Sequence, residues 1–227
     1  MQYYLVANMD KKQYIQNDGF FKLMEWSYNR NPTVLKLEEL INGEWKGDRV
    51  YVIGDYADSE CADYHADVIR KIEKEFLDGS DMALYDYVRY GFRRIDSSGD
   101  INNEYRYIFN HNTHQYVDME HCPLRVNASP FEEHGKWYHA TIAPLPLLLT
   151  LGNGLGGGDY RGNNDHLVGS WAKDTDKIEI SEEMKYPVYK EFRPEFYEGR
   201  LVPYTEKEKR IKMMKQNSKT RKEYHSR

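Results

Sequence analysis

The residues best suited to chemistry form a glycine-rich stretch, Gly152 to Gly162, which reads GNGLGGGDYRG. Five glycines between Gly152 and Gly158 allow positive φ angles and a close approach of the backbone to another molecule. Such a loop can direct several backbone N–H groups at a phosphate or another anion. The sequence therefore predicts a ligand-binding site whose residues are Asn153, Gly156, Gly157, Gly158, Asp159, Tyr160, Arg161 and Trp171.

This loop differs from the established phosphate-binding motifs. It lacks the Lys-Ser/Thr pair of a P-loop, and no parallel βαβ pattern surrounds it as in a dinucleotide-binding fold. Asp159 could bind a ribose hydroxyl, a metal ion or the backbone of its own loop. A purely structural interpretation, a tight surface turn that lets Trp171 pack, stays open beside the functional one.

Two histidine motifs provide a second hypothesis. His139-Ala140-Thr141-Ile142 has the His-x-Thr-apolar form of the two-histidine phosphoesterases, and His111-Asn112-Thr113 partly repeats it. In that chemistry two histidines act as acid and base on either side of a phosphate. His111 falls in a predicted turn rather than on an equivalent strand, so a histidine on a strand surface is the default interpretation.

Carboxylates form two groups that could attract a hard cation. The groups are Asp55, Asp58, Glu60, Asp63 and Asp67, and the set Asp159, Asp165, His166 and Asp174. Neither spacing matches a known metal-binding loop, and acidic residues are common at a solvated helix N-terminus. The sequence therefore predicts no metal ion and no cofactor.

Charge is unevenly distributed along the chain. Its net charge is −5, while residues 204–227 hold nine Lys/Arg and three Asp/Glu, which is +6 and leaves −5 − 6 = −11 for the rest. An acidic body is not typical of a nucleic-acid clamp. The basic tail predicts contact with nucleic acid or with an acidic partner.

Composition is that of a globular protein without membrane or disulfide features. Of 227 residues, 30% are charged and 40% hydrophobic, enough for a sizeable core. The longest apolar stretch, Leu145 to Leu151, is too short to cross a bilayer. The first residues predict a strand rather than a signal peptide, and Cys61 and Cys122 have no metal or redox spacing. We expect a cytoplasmic location and no membrane partner.

One pattern occurs twice in the chain. Tyr3 to Ile15 aligns with Tyr105 to Val117 through the Tyr, Asn and Gln-Tyr positions, and Gly43–Asp48 resembles Gly169–Asp174. Each second motif precedes a strand-like run, which predicts two copies of one unit in the same order. Only the second copy contains the glycine-rich loop.

These elements predict an α+β fold of two related lobes from an internal duplication, with small antiparallel sheets packed against helices and a basic C-terminal helix. The strongest helical pattern runs from Ser59 to Leu77. We assign residues 1–95 to the first repeat lobe with a helical extension and residues 104–185 to the second. Residues 186–227 then form a Pro- and aromatic-rich arm followed by the basic helix.

The motifs resemble those of a loosely characterised group of small bacterial and phage proteins. Members share a YYLVN-x-x-KKEY start, a GNGxGGGDYxG segment and a following VGSWAxD segment. The matching residues are Tyr3–Asn8 with Lys11–Tyr14, Gly152–Gly162 and Val168–Asp174, and Gly54–Asp58 is a further such signature. The resemblance implies a phage-type accessory protein and supplies no catalytic residues.

We therefore expect a non-enzymatic protein that binds and blocks or titrates a host factor, with a role in host takeover or against host defence. A host protein is the expected partner. The alternative is a protein that binds or cleaves a nucleotide-like phosphodiester at the Gly152–Gly162 loop. The sequence leaves open whether any catalysis occurs.

Overall fold

The structure is a computed structural model that describes residues 2–17, 19, 21–58, 65–97, 105–122, 131–133, 136–138, 141–161 and 167–192. Its helices are α1 (Leu23–Trp26), α2 (Pro32–Asn42), α3 (Ala66–Phe76), α4 (Leu84–Gly91) and α5 (Pro144–Leu148), with 3-10 turns at Met119–His121 and Thr175–Lys177. Its strands are β1 (Tyr4–Asn8), β2 (Gln13–Ile15), β3 (Val50–Gly54), β4 (Arg93–Arg94), β5 (Tyr107–Asn110), β6 (Gln115–Asp118), β7 (Phe131–Glu133), β8 (Lys136–Tyr138), β9 (Thr150–Leu151), β10 (Ile178–Ser181) and β11 (Lys190–Glu191). The predicted α+β class is confirmed. The predicted C-terminal basic helix lies outside the described residues.

Two mixed sheets contain most of the strands. The first has the order β4-β2-β1-β3-β9 and the second β10-β5-β6-β11, while β7 and β8 form a separate hairpin. In each large sheet a hairpin is flanked by an antiparallel strand on one side and a short parallel strand on the other. The small sheets expected from the sequence thus share one plan, but they are not purely antiparallel as predicted, because short edge strands from distant segments pair in parallel.

The agreement between the two sheets extends to individual residues. Asn8 pairs with Gln13 in the first hairpin, and Asn110 pairs with Gln115 in the second. The residue before each second strand has a left-handed backbone, with φ of 50° at Lys12 and 53° at His114. This is the relationship that two copies of one unit would show, and common descent of the halves stays a prediction.

The two halves share one main core. Trp26, Trp45 and Trp171 are buried in it together with residues from both hairpins, including Val6 and Ile108. Strand β9 from the second half is a parallel edge strand of the first sheet, since Val52 pairs with Thr150. The division at residues 95, 104 and 186 stays a sequence prediction. The pairing of β9 with β3 crosses that division.

The outer faces of the sheets differ in chemistry. Helices α3 and α4 cover the first sheet, where Leu5 and Ile53 pack with Ile69, Leu84 and Val88 in a second hydrophobic cluster. The corresponding face of the second sheet is aromatic and polar. Its central ring is Phe109, which is contacted by the rings of Tyr107, Tyr116, Tyr186 and Tyr189.

Two helix starts have clear local causes. Asn31 caps α2, because the Asn31 side chain accepts a hydrogen bond from the N–H of Thr33. Helix α5 begins at Pro144 and also contains Pro146. Both prolines lie in the first turn, where no intrahelical N–H bond is lost.

Candidate functional site

The glycine-rich loop is folded around the carboxylate of its own Asp159. This side chain is buried, and its Oδ2 accepts hydrogen bonds from the backbone N–H groups of Gly154 at 2.8 Å and Gly156 at 2.9 Å. Its Oδ1 accepts a 2.6 Å hydrogen bond from the phenol of Tyr4. Two of the loop N–H groups that could hold an anion therefore donate their hydrogen bonds to a carboxylate of the protein itself. Of the three roles considered for Asp159, the one seen in the structure is hydrogen bonding to the backbone of its own loop.

Asn153 closes the base of the loop. Its Oδ1 accepts from the N–H of Tyr160 at 2.8 Å, and its Nδ2 donates to the carbonyl oxygen of Tyr160 at 3.3 Å. This pair of bonds imitates the pairing of two strand residues. Tyr160 itself is buried in the main core. The loop is thus fixed at its base by a side chain and in its interior by Asp159.

The glycines differ in what surrounds them. A Cβ on Gly158 would overlap the carbonyl oxygen of Gln2, and one on Gly156 would lie 2.7 Å from the Cβ of Gln2. A Cβ on Gly157 would meet nothing within 4 Å. Gly158 therefore serves the packing of the loop against the N-terminal segment, while Gly157 lies at its exposed surface.

The remaining predicted residues lie at different depths. Arg161 is exposed, donates to the carbonyl oxygen of Gly156 at 3.4 Å and has an Nη atom 3.7 Å from Asp159 Oδ2. Trp171 is instead buried in the main core, with its ring 5.3 Å from that of Phe192. The structure thus brings Asn153, Gly156, Asp159, Tyr160 and Arg161 together in one loop and places Trp171 among core residues.

Three exposed aromatic side chains, which the sequence did not single out as site residues, belong to segments that approach the loop. Tyr3, Phe21 and Tyr56 are 39%, 38% and 41% exposed. The rings of Tyr3 and Phe21 meet edge to face with centroids 5.4 Å apart, and a Cβ on Gly156 would lie 3.1 Å from the Tyr56 ring. We call Tyr3, Phe21, Tyr56, Gly156 and Gly157 the loop face.

Backbone hydrogen bonds hold this loop face in place. The N–H of Tyr4 donates to the carbonyl oxygen of Phe21 at 2.7 Å, and the N–H of Asp55 donates to that of Tyr3 at 3.0 Å. The Asp55 carboxylate in turn accepts from the N–H of Tyr3 at 3.0 Å. Three chain segments that are distant in sequence thereby present their aromatic rings on a fixed frame.

A second cluster lies on the outer face of the second sheet. Glu179 Oε2 is 2.9 Å from His111 Nε2, and His111 Nδ1 is 3.0 Å from the hydroxyl of Tyr189. Lys185 and Tyr186 also donate to Glu179, at 2.7 Å and 2.9 Å. Burial acts to raise the pKa of Glu179, but the hydrogen bonds from Lys185, Tyr186 and His111 outweigh it and lower this pKa to about 2.

The histidine and metal hypotheses meet this geometry only in part. His139 lies outside the described residues, so the two-histidine arrangement stays a prediction. The carboxylate of Asp174 accepts hydrogen bonds from Asn110 and Asn112, while Asp165 and His166 lie outside the described residues. Within the described ranges, no group of three or more His, Cys, Asp or Glu residues is arranged to hold a metal ion.

Comparisons with known proteins add no relative. No protein-family model, curated protein or solved structure matches the chain. Among the helices of the described residues, none has the length and apolar character to span a bilayer. The resemblance to phage and bacterial accessory proteins therefore stays an inference from the sequence motifs.

Proposed function

We propose that this protein is a phage-type accessory protein that binds a host protein through the loop face, without catalysis at that surface, and blocks or titrates it in the cytoplasm. The exposure of Tyr3, Phe21 and Tyr56 beside a rigid loop is the observation that carries the proposal. Tyrosine and phenylalanine are enriched at protein interfaces because they bring a large contact area with few rotatable bonds.

Rigidity of the loop adds to this argument. Asp159 and Asn153 fix the loop from inside, so little conformational entropy is lost when a partner binds it. The exposed surface at Gly157 has no side chain, which lets a partner backbone approach closely. Such an arrangement suits a flat protein surface or an extended segment of another chain.

The alternative, a nucleotide-like anion in the loop, has less support. An anion needs converging N–H donors, and those of Gly154 and Gly156 already bind Asp159. The carboxylate would also repel a phosphate placed against the same amides. Arg161, which is exposed, is the residue that favours an anion at this place.

Affinity capture from a bacterial lysate tests the proposal. The wild-type protein is expected to retain one host protein in stoichiometric amount, and Tyr56→Ser or Phe21→Ser is expected to weaken its binding at least tenfold, as for central aromatic residues of an interface. Gly157→Arg should block the same partner sterically. Tyr90→Ser is the matched control, since Tyr90 is 73% exposed and outside the loop face.

The outcomes separate protein from ligand binding. A host protein that binds wild type and the Tyr90 variant but neither loop-face variant supports the proposal. If every loop-face variant retains the host protein as well as the wild type does, the proposal is contradicted. A nucleotide that stabilises the wild type and loses this effect in Arg161→Ala, without any captured protein, would favour the alternative.

A further inference from the structure

The hydrogen-bonded line of side chains Glu179–His111–Tyr189 is not required by the fold. The position of His111 in the second sheet corresponds to Met9 in the first, because the N–H of each donates to the residue preceding the flanking strand. Glu179 corresponds in the same way to Tyr51. Glu179 pairs with Phe109, and Tyr51 pairs with Ala7, the equivalent position of the first hairpin. The first sheet has Met9 and Tyr51 at these positions, and both are buried in its outer hydrophobic cluster. The charged pair is thus an addition specific to the second sheet.

Proton positions follow from the partners. A carboxylate accepts hydrogen bonds only, so His111 Nε2 carries the proton that faces Glu179. In the neutral ring Nδ1 is then an acceptor, and the hydroxyl of Tyr189 is its donor at 3.0 Å. Carboxylate, imidazole and hydroxyl are therefore in the order by which a base activates a nucleophile.

Side-chain exposure increases from Glu179 to His111. The side chain of Glu179 is 11% exposed and that of His111 31% exposed. Tyr189 is half-buried at the end of the turn 186–189, closed by a hydrogen bond from its N–H to the carbonyl oxygen of Tyr186. The rings of Tyr186 and Tyr189 are stacked with centroids 5.0 Å apart. The hydroxyl is thus positioned by packing, with the orienting carboxylate deepest in the protein.

We propose that Tyr189 is a nucleophile toward phosphodiesters, with His111 as its general base and Glu179 as the residue that positions the imidazole. Lys190 follows Tyr189 and is exposed, Lys185 is bound to Glu179, and the ring of His114 lies 5.1 Å from that of Tyr189. These cationic or protonatable groups favour an anionic substrate. This site is separate from the loop face and does not depend on the proposed binding function.

The reaction step conserves atoms and charge. Tyr189 Oη attacks phosphorus, and its proton passes to His111 Nδ1 as the Oη–P bond forms. The bond between phosphorus and the leaving oxygen breaks, and the electron pair leaves with that oxygen. An alcohol leaving group takes the proton back from the imidazolium, while 4-nitrophenolate leaves without it. The product is a phosphotyrosyl diester on Tyr189.

Bis(4-nitrophenyl) phosphate is the first probe. We expect a burst of at most one 4-nitrophenolate per protein, and peptide mass spectrometry should place a 4-nitrophenyl phosphoryl group on Tyr189. Tyr90 provides a comparison within the same molecule, because it is 73% exposed. Labelling of Tyr90 at the rate of Tyr189 or faster, or no adduct on Tyr189, would overturn the proposal.

Variants test the base and the positioning residue. Tyr189→Phe should abolish the adduct and His111→Gln should slow it about 100-fold, the lower range for general-base catalysis. Glu179→Gln should slow it less, and Tyr90→Phe, an exposed position in α4 outside this cluster, should retain the burst. An adduct whose rate is unchanged in His111→Gln also contradicts the proposal. The mapping in the wild type stands even if a variant fails to fold.

The source of the phosphodiester is distinguished by a second probe. A single-stranded oligonucleotide that becomes attached to Tyr189 identifies nucleic acid as the substrate. Labelling by the small diester alone, with no attachment of the oligonucleotide, assigns a small phosphodiester instead. Both arms use the full chain.

Discussion

The phenol of Tyr4 donates a 2.6 Å hydrogen bond to the carboxylate of Asp159, and this bond joins the first strand to the glycine-rich loop of the second half. Both side chains are buried. The loop is therefore built onto the first sheet as well as onto its own half. Together with the close approach of Gly158 to the carbonyl oxygen of Gln2, this contact holds the segment that carries Tyr3 against the loop.

Substitution of Asp159 tests whether this carboxylate is structural. Asp159→Asn places an amide donor against groups that are themselves donors, so we expect a loss of about 2–4 kcal/mol in the free energy of unfolding. Tyr4→Phe should cost about 1–2 kcal/mol, since one hydrogen bond to a charged group is lost. Urea denaturation followed by tryptophan fluorescence measures both.

The control for these variants is Arg161→Gln. The 3.7 Å ion pair of Arg161 with Asp159 has a guanidinium that is 62% exposed, so its removal should cost less than about 1 kcal/mol. If Asp159→Asn were no more harmful than Arg161→Gln, the carboxylate would not be the internal anchor of the loop.

Two neighbouring glycines should respond in opposite ways to alanine. Gly158→Ala forces a methyl group into the Gln2 carbonyl oxygen, and we expect a loss of about 1–3 kcal/mol or a displaced N-terminal segment. Gly157→Ala has open space and a backbone without positive φ, so stability should change by less than about 0.5 kcal/mol. Thermal denaturation of both variants gives the comparison. Equal tolerance at the two positions would contradict the described packing.

Local elements were predictable where a short segment carries its own pattern. The first residues were expected to form a strand, and β1 occupies Tyr4–Asn8. The segments Tyr3–Ile15 and Tyr105–Val117, which align in sequence, each form an antiparallel hairpin. In each case apolar alternation and a tight turn, which are local properties, determine the outcome.

Features that depend on distant segments were not predictable. Strand β9 pairs with β3 although about a hundred residues separate them, and no pattern around Thr150 indicates this. The loop face needs Tyr3, Phe21 and Tyr56 to be exposed together, while the neighbouring Tyr4 is fully buried. Tyrosine occurs both in packed strands and at exposed surfaces, so the residue type does not give exposure, which depends on the three-dimensional arrangement.

Asn8 and Asn110 should make similar contributions to stability. Each Oδ1 accepts hydrogen bonds from the N–H groups two and three residues further on, which closes the hairpin turn. Each Nδ2 faces an aspartate, Asp48 at 2.8 Å and Asp174 at 3.5 Å. Alanine at either position should cost about 1–3 kcal/mol, with the larger loss at Asn8 because of its shorter bond.

Equilibrium unfolding of Asn8→Ala, Asn110→Ala and the double variant provides the measurement. The two losses should add, because the sites lie in different sheets. A large cost at one asparagine and none at the other would show that the two hairpins do not use the same turn.

The contribution of Glu38 to the free energy of unfolding should fall as the pH rises from about 5 to 8. Burial raises the pKa of Glu38 to about 8, partly opposed by Arg30. The folded protein therefore retains a proton that the unfolded chain releases near pH 4.5, so this contribution is complete at low pH and is lost as pH rises through the folded pKa. The change is on the order of 3 kcal/mol over the window.

Glu38→Gln isolates this effect, since glutamine resembles the neutral carboxyl. Burial lowers the pKa of His65 to about 4, which makes stability rise with pH between about 4 and 6.5 in both proteins. The difference in free energy of unfolding between variant and wild type should therefore grow in favour of the variant toward pH 8. A difference that stays constant with pH would mean that Glu38 is ionised in the folded state.

Hydrogen exchange on the captured complex tests the central claim, binding through the loop face, most directly. On binding its host partner, the protein should gain protection at backbone amides around Tyr3, Tyr56 and Gly154 to Gly157, while α4 near the exposed Tyr90 should exchange as before. Protection elsewhere, with these amides unchanged, would contradict the account.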